Sequence, residues 1–157
     1  MRSTLCRITL GLWIVTIGVA GWFFVQGWTT KSTDGRTQIV LAPAERDLIL
    51  GEMRLLLKSV HGVVTGLADQ GQEVNRTQME QAARSAGMHM AEDVNPALMA
   101  KLPLPFKQMG MSIHHDMDAL ADAIVDKETS QQILQRLSNM TVRCTTCHDV
   151  YRFSVER

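Results

Sequence analysis

From Ile8 to Trp28 the chain runs for 21 residues without a charged side chain, with Thr9, Thr16 and Gln26 as its only clearly polar members. A helix of that length spans the hydrocarbon core of a bilayer. Arg2, Arg7 and the terminal amine precede the run, which favours a cytoplasmic N-terminus, although Lys31 and Arg36 follow it. A cleaved secretory leader is the competing reading, but Gly18-Val19-Ala20 is a poor cleavage site. The apolar run also continues through Phe23, Phe24 and Val25 to interfacial tryptophans. Either way the rest of the chain is exported. The expectation is a single-pass protein of a bacterial inner membrane, with residues 1–28 as anchor and the C-terminal domain in the periplasm.

What remains is one domain's worth of material in a chain of 157 residues, too little for a two-domain enzyme. Lysine plus arginine equals aspartate plus glutamate, 16 each, so no basic field exists to hold a nucleic-acid backbone. Trp13, Trp22 and Trp28 all lie in the first 28 residues, and beyond them the only aromatic residues are Phe106, Tyr151 and Phe153. A core so poor in rings needs other bulk. Ten methionines supply some as flexible filling, and a bound cofactor would supply more.

Residues 29–42 are small and polar and read as a linker. Pro43 then opens a helix over about 44–68, where Leu50, Met53, Leu57, Val60, Val64 and Leu67 recur at spacings of 3 and 4. Asn75 is expected to cap a second helix reaching about Asp93, with Met79, Ala82, Ala83, Ala86 and Met90 on its apolar face. Pro96, Pro103 and Pro105 then force a loop of about a dozen residues. A third helix carries Phe106, Met109, Ile113, Met117, Leu120 and Ile124. After a turn at 126–130, a fourth carries Leu134, Leu137, Thr141, Cys144, His148 and Tyr151. No alternating strand pattern is evident. The fold expected for residues 43–157 is therefore all-α, an antiparallel four-helix bundle.

Cys144-Thr145-Thr146-Cys147-His148 is the attachment pattern of haem c, in which two thiols add to the porphyrin vinyl groups and the adjacent histidine ligates iron. On a helix these residues stand at i, i+3 and i+4, so all three leave from one face. That face belongs to the apolar stripe of the fourth helix, which would place one haem per chain among the helices. A thioredoxin-like dithiol would need a strand–helix setting, and a zinc site a fourth ligand. His61, His89, His114 and His115 read as solvent-facing, although Asp118 could orient His114. The other methionines read as packing. Asp116, Asp118, Asp122 and Asp126 read as a solvated face, or else as a docking patch for a basic partner.

The run Cys144 to Arg152, placed at the end of the last helix of such a bundle, resembles the cytochrome c′ family and its low-spin, methionine-ligated relatives. The likeness covers about residues 43–157. It implies His148 as proximal iron ligand, Arg152 over the proximal face and Arg46 near the propionates. It also implies that Leu50 holds the position facing the open side of the iron. A leucine there leaves iron five-coordinate and open to NO or CO, while Met53, one turn on, is a candidate distal ligand if the register shifts. Two functions follow: an electron carrier with no substrate turnover, serving a periplasmic or membrane partner, or a diatomic-gas binder. The family also implies a homodimer through its first helices.

Overall fold

The computed structural model describes residues 2–69, 73–91 and 95–155, and these are mostly helical. Helix α1 (Arg2–Gln26) is the apolar run, and no residue of its candidate span Thr4–Gln26 is buried. Two strands follow, β1 (Thr29–Lys31) and β2 (Thr37–Leu41), then α2 (Pro43–Ala68) and α3 (Glu73–Arg84). A turn of 3-10 helix (Met88–Ala91) and short α4 (Pro96–Lys101) lead to α5 (Leu104–Val125) and α6 (Ser130–Val150), and β3 (Tyr151–Val155) closes the chain.

The strands correct the all-α expectation. Residues 29–42 are not a free linker: β1 pairs antiparallel with β2, and β2 pairs in parallel with β3, Thr37 opposite Tyr151 and Leu41 opposite Val155. The two edges of the helical domain are thereby stitched together. Ile39 and Leu41 are fully buried while their neighbours are only partly so, which is the alternation of a one-faced strand. Three consecutive apolar residues, Ile39, Val40 and Leu41, are too short a run to announce a strand from sequence, so the parallel partner more than a hundred positions away was invisible. Tyr151 accordingly lies in β3 and not at the end of the last helix.

The helix boundaries follow local chemistry. Pro43 stands at the start of α2, and the Glu45 carboxylate accepts the Ala42 backbone N–H at 2.8 Å. Thr129, at the end of the turn, caps α6, with Gln132 completing a capping box. Asn75 lies inside α3, which begins by Glu73. That helix ends at Arg84, earlier than the apolar face suggested, and Asp93 lies outside the described residues. Gly87 ends the turn because the Asp118 carboxylate occupies the space a β-carbon would need and accepts the Met88 N–H at 2.9 Å. The proline-rich connection is not a bare loop, since Asn95 caps α4 within it.

Helices α2, α3, α5 and α6 pack in series, each on the next. Gly62 and Gly66 let α2 approach α3 closely, since β-carbons there would press on Ala82 and Met79. The main core joins Val63, Met79, Ala83, Ile113, Met117, Leu120, Ile124, Ile133, Leu137 and Met140. This shifts two expected stripes. On α2 the inner face runs through Ile49, Leu56, Val60, Val63 and Leu67, while Leu57 and Val64 face outward; on α6 Ile133 is buried and Leu134 exposed. A second cluster, Ile39, Leu41, Ile49, Leu98, Leu102 and Phe106, lies under the sheet.

The acidic run of α5 is engaged internally: Asp116 pairs with Arg143, Asp122 with Arg84, and Asp118 with the backbone of Met88. One ion pair ties α2 to α4, Lys101 to Glu45 at 2.8 Å. The Lys101 ammonium, and then the Ala42 N–H, hold the Glu45 carboxyl below its ordinary value. A carboxylate depressed in the fold contributes stability above its unfolded value and loses it as pH falls through its folded value. Denaturant titrations of the wild type and Glu45→Gln should therefore converge in acid, below the usual carboxylate range, and diverge in favour of the wild type above it.

Candidate functional site

Helix α6 carries Cys144, Cys147 and His148 in its last two turns, all within unbroken helix, so the i, i+3, i+4 geometry expected of them is present. Both cysteines are free thiols and half-buried, and the His148 ring is exposed. They straddle the two cores. Cys144 packs against the main cluster and Cys147 against the one under the sheet.

Among the described residues, α2 and α6 share little direct contact, and a cleft of about 140 Å3 opens near that seam. Leu50 and Met53 come to it from α2, Phe106 from α5, Cys147 and His148 from α6, and Tyr151 and Phe153 from β3. Met53 packs in the same cluster as Cys147. Phe106 makes edge contacts with Tyr151 at 5.4 Å and Phe153 at 5.8 Å between ring centres, the arrangement that ring quadrupoles favour. The three aromatic side chains beyond residue 28 thus gather at one wall.

Two guanidinium groups stand at the mouth. The Arg36 guanidinium donates to Asp34 Oδ2 and to the His148 carbonyl at 3.2 Å, while its backbone N–H donates to Oδ1, so a cation satisfies the C-terminal end of α6. Arg152 reaches Ser32 at 3.1 Å and Asp34 at 3.3 Å. The Arg36 hydrogen bonds hold the Asp34 carboxyl far below the usual carboxylate range. One carboxylate therefore shares two cations, leaving net positive charge beside the cleft.

Burial pushes the Cys147 thiol up to about 11, with Cys144 adding to it, and burial raises Cys144 as well. Redox dithiols work the other way, lowering a thiol to make it reactive. No group of three histidine, cysteine or carboxylate side chains able to hold a metal ion occurs among the described residues. The chemistry of the donor set fits a haem: two un-ionised thiols and an adjacent imidazole on one helix face, apolar and aromatic walls, and two cations for carboxylate groups.

Of the residues expected at the site, Cys147, His148, Leu50, Met53 and Arg152 line the cleft. Cys144 sits one turn up α6, and Arg46 pairs with neighbouring Asp47 at 3.4 Å without lining it. Arg36, Phe106, Tyr151 and Phe153 were not foreseen there. The alternation Tyr151, Phe153, Val155 was the one available signal, and it is too short to separate a strand from a helix end. His114 is also corrected: it is buried, and its Nδ1 donates to the Ala86 carbonyl at 2.8 Å. His61, His89 and His115 are exposed as expected. A second hollow, lined by Arg76, Thr77, Glu80, Ile124, Val125 and Lys127, holds no cysteine or histidine. The chain matches no known family model, no characterised protein and no solved structure.

Proposed function

We propose that the chain is a membrane-anchored monohaem c-type cytochrome of the cytochrome c′ type, its helices an antiparallel four-helix bundle, acting in periplasmic electron transfer without substrate turnover. The observation that carries this reading is the placement of Cys147 and His148 in a cleft whose other walls are Leu50, Met53 and aromatic rings. Cys144 and Cys147 would hold the haem covalently and His148 would be the proximal ligand. Bound there, it supplies a one-electron iron couple. Covalent haem attachment takes place outside the cytoplasm, in keeping with an N-terminal helix able to serve as signal or anchor.

The chain's own residues set the terms. Arg36 and Arg152 offer charge to anionic groups at the mouth, and the apolar wall excludes water, which favours the less charged state of a buried group. Met53 packs with Cys147 under the sheet and offers a thioether; Leu50 offers no donor atom. Thioether ligation raises a haem potential and suits a carrier. The expected optical spectrum of the purified protein is therefore low-spin, with a sulfur-to-iron charge-transfer band. Met53→Leu should abolish that band and lower the potential, by about 59 mV for each tenfold loss of preference for the reduced state.

A second reading rests on Leu50, which also lines the cleft: an open iron that takes up NO or CO. It predicts high-spin spectra in both oxidation states, rapid CO uptake by the wild type, and no spectral change in Met53→Leu. The spectrum before and after CO separates the two. Denatured protein from a maturation-competent host that carries no haem would refute both.

A further inference from the structure

Helix α1 presents an apolar column from Leu5 to Val25 with every large side chain about half exposed or more. No water-soluble surface keeps a patch of that extent. Its far end, however, is built into the domain. Gly27 donates to the Phe23 carbonyl at 2.8 Å and turns the chain at φ 64, with its backbone so close to Lys101, Leu102 and Pro103 that a β-carbon would collide with all three. Trp28 then donates to the Lys101 carbonyl at 2.8 Å and accepts from Val40 at 3.0 Å. No slack remains between the helix and the sheet.

Lys107 completes the grip. It is only 7 % exposed, and its ammonium donates to the Phe24 carbonyl at 3.1 Å and the Met99 carbonyl at 3.2 Å while lying 3.8 Å from the centre of the Phe24 ring. A cation on the last carbonyls of a helix, over an aromatic face, is held by the helix dipole and the ring together. Burial pushes its pKa down, so the charge depends on these partners. A leader removed beyond Phe24 would strip away the carbonyl and the ring of Phe24 and leave only the Met99 carbonyl. Lys101, on the Trp28 ring at 5.2 Å, flanks the same exit.

The clamp bears on the cleft. Phe106, whose ring forms the aromatic wall, is the residue before Lys107, about 3.8 Å along the backbone. Trp28 is half exposed and Thr30 and Lys31 are exposed at the same end, the residue types found at a bilayer surface. We infer that α1 is retained as a rigidly clamped anchor, and that the clamp seats the end of the domain formed by β1, α4 and the start of α5 on the lipid headgroups, with the cleft wall beside them. An electron partner then meets the cleft at the membrane surface and not in free solution.

The test uses the full chain in phosphatidylcholine vesicles, and none of its readouts involves haem, so its failure is distinct from failure of the cytochrome reading. Intact mass should show that the chain extracted from membranes retains Phe24 and the helix before it. Hydrogen exchange should find the amides of Gly27, Trp28 and Val40 protected. Lys107→Gln and Gly27→Ala should each speed exchange over 25–31 at least tenfold, while α5 and α6 exchange as before. Phosphatidylcholine carrying a photoreactive headgroup should label residues 28–31 and 96–105. A chain beginning after Phe24, wild-type amides at 27–31 exchanging as in a free peptide, or labelling elsewhere on the domain would overturn the inference.

Discussion

Replacing Cys144 and Cys147 together by serine should leave a chain that carries no covalent haem, a complete loss read from intact mass and from haem staining after denaturation. The thiol is the group that adds across a vinyl bond, sulfur to one carbon and hydrogen to the other, and a serine hydroxyl lacks that nucleophilicity. Each single variant should keep one bond, and His148→Ala should keep both while altering the spectrum. The double variant also tests the packing argument. Because Cys144 and Cys147 contact different clusters, a chain without haem should lose order on both sides of the α2–α6 seam. Retention of haem mass by the double variant would sink the assignment.

Phe106→Ala should be the most destabilising single change near the cleft. Phe106 is 9 % exposed, sits in the cluster with Ile39, Leu41, Leu98 and Leu102, and makes both ring contacts to β3. Truncating a buried phenylalanine costs about 3–5 kcal/mol, which lowers the melting temperature of a domain this size by on the order of 15 °C or more. A merely local cavity would leave the seam unchanged. Here the loss should also expose Cys147, so that its alkylation in protein prepared without haem quickens relative to Cys144. A drop below about 1 kcal/mol would mean that the sheet is held by its backbone ladder alone.

The two changes probe different levels of legibility. Cys144, Cys147 and His148 could be placed from sequence because their relation is local: three positions on one helix face need only the helix to form. The α5 face was equally readable, since Phe106, Met109, Ile113, Met117, Leu120 and Ile124 repeat at a helical period, and all but the half-buried Met109 are buried. The α2 face was less so. Its apolar residues surround more than half the helix, and the choice between Leu56 and Leu57, or Val63 and Val64, belongs to the neighbour that packs there.

By itself, then, the chain's order of residues determined the apolar helix, the long helices after it and the clustered thiols and imidazole, each resting on interactions within a few turns. Tertiary structure alone decided the rest. Thr37–Leu41 became a strand because Tyr151–Val155 returned to its side. Lys107 became a clamp because the end of α1 came within its reach, and Arg36 reached the carbonyl of His148 only through that same sheet. Contacts between residues so far apart depend on where the whole chain brings them, and a short segment carries no record of a partner whose position is set by everything between.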